Sequence, residues 1–335
     1  MAFKLIISFQ MKGKELLKSI REKSLLWDLG AVFFMLSYLF LAYKLLTFNQ
    51  YNELIDQWQQ MPVSQFRWLT GVLLLLPLNW FLESLKWKLL TSKIQNLSIS
   101  DSFKSVLAGA STGFFTPNRV GELVGRVLFL EARNRKPGIT LCVVSSFTQN
   151  IIMVSWGIPA SIMFFTRKGA TLDSDINRIL LIFASCLFVM GLIYSVWPFL
   201  SKKISKCRFY PQITAFTFFL SAYTWSDLVQ ILFISLLRYL VFCTQMFLML
   251  NFFGVEILPW HAMIAIPASY LFVTFTPSLA FSEAAVRSSY AVLFVGAFSE
   301  QVVGIALAGV CIWMVNLVVP MLVGSVVMLA VRRQV

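Results

Sequence analysis

Charge is scarce in this sequence. Only 13% of its 335 residues are Asp, Glu, Lys or Arg, against roughly 25% in soluble domains. Histidine occurs once, and the five cysteines (142, 186, 207, 243 and 311) form no CxxC pair. These absences argue against a zinc site and a disulfide framework. There is no Walker loop, no GxGxxG before a strand and no HExxH, so nothing in the chain hydrolyses a nucleotide or builds a metalloprotease centre. Asp173 and Asp175 are read as an acidic outer loop, because no further carboxylates support a metal there. No metal or cofactor is expected.

What remains is apolar. Hydrophobic residues make up 58% of the chain, 32 of them Phe, and the mean hydropathy is +0.77. A membrane-spanning helix needs about 20 mostly apolar residues. Long apolar runs occur at roughly 27–46, 66–85, 138–166, 177–200, 228–253 and 301–330. The expected fold is therefore all-α, a polytopic helical membrane protein with about six full spans. No secretory cleavage site follows the short stretch Leu5–Phe9, so the first span reads as an uncleaved anchor.

Net charge is +13, from 28 basic and 15 acidic residues. Twenty-one of the 28 fall in segments 1–26, 86–137, 201–210 and the Arg332-Arg333 tail. The positive-inside rule places those segments in the cytoplasm. The balance thus reads as attraction to anionic headgroups rather than to nucleic acid. The expected organisation is a basic cytoplasmic segment 1–26, one membrane domain 27–331 and a cytoplasmic tail 332–335. This is the pattern of a multi-pass bacterial inner-membrane protein with both termini inside. Basic flanks on both sides of the short run 102–117 predict a re-entrant hairpin at about 102–130. The stretch 259–298 is expected to form a second, entering from the other face.

A repeated motif supports that pairing. Phe115-Thr116-Pro117 is followed by Glu122 and Arg126, and Phe275-Thr276-Pro277 by Glu283 and Arg287. In each, Glu and Arg stand four residues apart, on one helix face. Duplicated elements of opposite topology are the signature of inverted repeats in transporters. Thr before Pro predicts a helix start at each site, whose free N–H groups favour an anion. Asn118 and Arg119 complete the first motif; Leu279 stands near the place of Arg119 in the second. Gly109-xxx-Gly113 and Gly121-xxx-Gly125 predict close packing of the two arms of the first hairpin.

Other polar residues interrupt apolar runs. Asn79 and Glu83 share a helix face. Lys86 and Lys88 are expected at the cytoplasmic end of their span, snorkelling to the headgroups. Gln149 and Asn150 either bridge helices or line a cavity. Arg238, deep in the run 228–253 with Gln245, needs a carboxylate partner, with Glu83 or Glu283 as candidates. His261, beside Trp260, is read as interfacial.

The segments Asn79-Trp80…Lys86-Trp87-Lys88, Gly113-Phe-Phe-Thr-Pro-Asn-Arg-Val-Gly-Glu122…Arg126 and Thr276-Pro277…Glu283 resemble the transmembrane, flippase-like region of the lysylphosphatidylglycerol synthase/flippase family. The resemblance covers about residues 20–330. The second motif departs from the family's usual glycine-rich turn, having Pro277-Ser278-Leu279-Ala280 instead. The resemblance implies a stand-alone member without the C-terminal aminoacyl-transfer domain, and so a lipid-handling rather than an enzymatic role. Its expected partners are membrane phospholipids with anionic headgroups, held between the hairpins by Thr116, Pro117, Asn118, Arg119, Glu122, Arg126, Thr276, Pro277, Glu283 and Arg287. A secondary transporter of a solute or ion, or a non-catalytic partner of a lipid-carrier enzyme, are the alternatives.

Overall fold

The computed structural model describes residues 62–116, 119–167, 222–276 and 280–332, and the single positions 184 and 191. The expected basic segment 1–26, the spans 27–46 and 177–200, the loop 201–210 and residues 333–335 lie outside the described residues. So do Pro117, Asn118 and Pro277.

Among the described residues the fold is helical throughout, with no strand. Four helices carry the first half: α1 (Phe66–Thr91), α2 (Ile99–Phe114), α3 (Gly121–Val127) and α4 (Arg135–Arg167). The second half repeats the order with α5 (Trp225–Phe252), α6 (Pro259–Phe275), α7 (Ala280–Val295) and α8 (Val302–Trp313). A π-helical turn, Met314–Val318, continues α8 into α9 (Val319–Arg332). Each half therefore runs long helix, short helix, break, short helix, long helix.

Local chemistry sets several of the helix starts. Ser98 caps α2, accepting from the Asp101 N–H at 3.0 Å. Thr224 and Asp227 form a capping box at α5, each side chain satisfying a backbone N–H of the other. Pro259 opens α6 at a position where its missing N–H has no helical partner to lose.

Four segments are long and apolar enough to cross a membrane: Val63–Thr91, Ala132–Thr166, Trp225–Phe252 and Val302–Ala330. Their outward faces are apolar, with Leu73, Leu74, Val229, Phe233, Val303 and Val326 exposed. Their inward faces hold Asn79, Glu83, Lys86, Ser84 and Gln245, all fully buried. Apolar outside and polar inside is the arrangement that a hydrocarbon solvent imposes. By contrast α2 and α6, with 16 and 17 residues, reach only ~24–26 Å at ~1.5 Å per residue, short of the ~30 Å hydrocarbon core.

Both short helices turn back on themselves. In the first hairpin Ser105 Oγ donates to the Arg126 carbonyl at 2.7 Å, and Thr112 Oγ1 to the Gly121 carbonyl at 2.7 Å. Residue numbers fall along α3 as they rise along α2, so the arms are antiparallel. The expected small-residue packing is present: a Cβ on Gly125 would stand 2.3 Å from Thr112 Oγ1 and 2.5 Å from the Ala108 carbonyl oxygen. In the second hairpin Phe272 packs on Phe294 while Thr276 Oγ1 meets the Tyr290 hydroxyl, giving the same antiparallel sense.

The two halves interlock. α1 packs along α5, and their contacts pair Val72 with Gln245, Asn79 with Arg238 and Leu90 with Tyr223. These equivalent helices therefore run in opposite directions, which makes the halves inverted repeats. The hairpins are exchanged between them: α2 packs against α9 of the second half, and α6 against α4 of the first. Gly324 of α9 brings its backbone so near the Leu107 carbonyl that a Cβ would overlap it at 2.0 Å.

Candidate functional site

The centre of the site is Glu83, on the buried face of α1. Its carboxylate meets three cations: Lys86 Nζ at 2.9 Å, Arg126 Nη2 at 2.6 Å and Arg238 Nη1 at 2.9 Å. The carboxylate partner demanded by Arg238 is thus Glu83. The same arrangement corrects the reading of Lys86. It lies one turn beyond Glu83 with 1% of its side chain exposed, so it points into the interior instead of reaching the headgroups. Its Nζ also donates to the Ser145 carbonyl at 3.4 Å.

Arg126 joins this centre to the first hairpin. Its guanidinium bonds Glu122 as well as Glu83, and it lies 5.6 Å from the Trp87 ring. Glu122 in turn pairs with Arg119 at 3.5 Å. The spacing of four residues seen in the sequence therefore makes the expected ion pair, with Arg119 added one turn earlier.

Pro117, where the sequence predicts a helix start, lies outside the described residues. The helix begins at Gly121. Thr116 still caps it, because its Oγ1 accepts the Gly121 N–H at 2.7 Å while donating to the Gly113 carbonyl at 3.0 Å. Arg119, two residues before this helix, has φ of 59°, the sole positive φ outside glycine among the described residues. A left-handed residue interrupts the right-handed helix and costs about 1–2 kcal/mol. Strain of that kind concentrates where a site needs it.

A relay of amides runs from the charges toward the opposite end of α1. Arg238 Nε donates to Asn79 Oδ1 at 2.9 Å, and Asn79 Nδ2 to Asn316 Oδ1 at 2.9 Å. Asn316 Nδ2 then donates to Gln245 Oε1 at 3.0 Å, and Gln245 Nε2 to the Val72 carbonyl at 3.2 Å. Asn316 went unrecognised in the sequence. The available signal was a lone Asn in the nearly charge-free run 301–330, and it stands in the π-helical turn, a feature frequent at functional positions. Gln149 bridges helices, donating from α4 to the Ser235 carbonyl of α5 at 3.3 Å. Asn150 is half-buried on α4.

The second hairpin holds its own pair, Glu283 and Arg287, at 2.5 Å. Thr276 Oγ1 donates to the Phe272 carbonyl and meets the Tyr290 hydroxyl at 3.0 Å. The two hairpin tips come together. Phe114 and Phe115 of the first and Ala284 of the second pack in one apolar cluster with Trp313, Leu317 and Met321. The halves are chemically unequal, however. Adding the 160 residues that separate the two Phe-Thr-Pro motifs to Glu83 and Lys86 gives Cys243 and Met246. The three-cation centre thus has no counterpart in the second half.

His261 stacks on Phe298 with centroids 4.5 Å apart, away from these charges. Among the described residues no group of three His, Cys, Asp or Glu stands close enough to hold a metal.

A family comparison gives this architecture its context. The profile of the lysylphosphatidylglycerol synthase TM region matches residues 25–324. The chain belongs to that family. The match spans both repeats, both hairpins and every charged residue of the cluster, so the site lies wholly inside the family's membrane region. The protein is accordingly a multi-pass membrane protein. No curated protein and no solved structure matches it.

Proposed function

We propose that this protein is a non-enzymatic lipid translocase of the bacterial cytoplasmic membrane, with both termini on the cytoplasmic side. It receives an anionic headgroup between the tips of the two hairpins and leaves the acyl chains in the bilayer. The observation that carries the reading is the buried charged cluster that joins the first of two inverted hairpins to α1 and α5. Charges so deep in an apolar protein are expensive, and where they occur they line a path for something polar. Membership of a lipid-synthase transmembrane family supports a membrane-lipid function. Inverted repeats supply the mechanics: rocking one repeat against the other exposes a central site to each face in turn.

In this reading Arg119 and Arg126 attract the headgroup, Glu122 and Glu283 hold the arginines when the site is empty, and Glu83 anchors Arg126 from behind. Reconstitution into vesicles carrying a fluorescent anionic phospholipid tests it, with dithionite quenching of the outer leaflet as readout. Loss of leaflet exchange in both Glu122→Ala and Arg126→Ala is expected. Unchanged exchange in both variants would show the site assignment to be wrong. A preference for water-soluble ions over lipids in the same vesicles would favour a solute transporter built on the same repeats.

A further inference from the structure

Among the described residues the charges of the cluster do not balance. Two carboxylates (Glu83 and Glu122) meet four cations (Lys86, Arg119, Arg126 and Arg238), while Glu283 and Arg287 form a balanced pair of their own. Two positive charges are left over. The other described acids lie elsewhere: Asp101 pairs with Lys104, Glu131 with Arg133 and Asp227 with Lys93, while Glu256 and Glu300 are exposed. An uncompensated cation in a protein interior is strongly destabilising.

The surplus has a location. Arg126 has 5% of its side chain exposed, and its Nη1 is buried with no hydrogen-bond acceptor among the described residues. Arg119 Nε is in the same condition. Both residues flank Glu122, and Arg119 is the more accessible, with 31% of its side chain exposed. Two guanidinium groups with donors to spare, one buried and one partly exposed, thus sit on the same carboxylate, and such donors suit phosphate oxygens.

We propose that this site takes a doubly charged phosphate group, a phosphomonoester or pyrophosphate, in preference to the singly charged phosphodiester of common phospholipids. A dianion cancels the surplus, whereas a phosphodiester leaves one buried positive charge unmet. A phosphomonoester carries close to two charges at neutral pH. The inference rests on the headgroup reading above and narrows its substrate class.

Titration of the purified full-length protein in lipid nanodiscs tests the proposal. The probes are phosphatidic acid, phosphatidylglycerol and inorganic phosphate. Phosphatidic acid is expected to bind at least about tenfold tighter than phosphatidylglycerol. Arg119→Gln, at a partly exposed position, should abolish that preference. Glu122→Gln, which enlarges the surplus, should strengthen it. Equal affinities for the two lipids, or a preference that survives in both variants unchanged, overturn the proposal. Inorganic phosphate separates the two sources of a dianion: tighter binding of the lipid assigns the site to a lipid phosphate, tighter binding of the free ion to a soluble one, and either upholds the charge argument. Leaflet exchange measured on the same preparation keeps the two readings apart. A dianion preference without exchange overturns translocation alone, and exchange without the preference overturns this inference alone.

Discussion

Replacing Glu83 by Gln removes one carboxylate from three buried cations while keeping its shape. The consequences differ for each partner. Arg126 retains Glu122, and Arg238 retains Asn79. Lys86 retains only the Ser145 carbonyl at 3.4 Å, so it becomes the orphan. Breaking a buried ion pair by deleting one partner costs about 3–5 kcal/mol. At about 2–4 °C per kcal/mol for a protein of a few hundred residues, the midpoint should fall by roughly 6–20 °C. The assay is thermal unfolding of the detergent-solubilised protein followed by intrinsic Trp fluorescence. Two companions make the result specific. Glu83→Gln with Lys86→Met removes the orphan along with the carboxylate and should recover about half of the loss, a coupling expected only between groups in contact. Glu131→Gln breaks an ion pair whose carboxylate is 54% and whose guanidinium is 81% exposed, and should change stability by less than about 1 kcal/mol. A Glu83→Gln variant melting within experimental error of the parent, or a double variant no more stable than the single, would refute the reasoning.

Three further outcomes follow from the packing and the relay. Gly125→Ala places a methyl group against the Ala108 carbonyl and Thr112 Oγ1, so the first hairpin must open; limited proteolysis should show new cleavage near its tip. Asn316→Leu leaves Asn79 Nδ2 and Gln245 Oε1 without their mutual partner and should cost about 1–3 kcal/mol in the same unfolding assay. Thr224→Ala removes half of the α5 capping box and should cost ~1 kcal/mol without altering lipid exchange, since it lies at a helix end away from the cluster.

Much of this site was legible from composition alone, because rare residues stand out against an apolar background. An Arg in the run 228–253 demands a carboxylate, and Glu83 supplies it. The two Glu-Arg spacings give two ion pairs because residues four apart must share a helix face. The glycines at 109, 113, 121 and 125 likewise predict the hairpin that they form. The failures have physical causes as well. Lys86 looked like a headgroup lysine because linear order places it beside Lys88, but a helix turns 100° per residue and the two point in different directions. The left-handed backbone of Arg119 is announced by no local preference. Asn316 makes its side-chain hydrogen bonds to residues 71 and 237 positions away, and contact at that range cannot be read from neighbours.

The exchange of hairpins between the repeats has a consequence for how the protein is made. α2 is synthesised roughly two hundred residues before α9, the helix that covers it. At 5–20 residues per second that interval is about 10–40 s. During it the first hairpin has, among the described elements, its own arms, α1 and α4 to pack on, and Leu107 waits for the Gly324 backbone. The ion pair of Glu83 with Arg126 forms within the first half and can shelter both charges early. Arg238 and Asn316 arrive late and close the centre. A chain halted before residue 302 would therefore sit in the bilayer with the α2 face that α9 covers still bare.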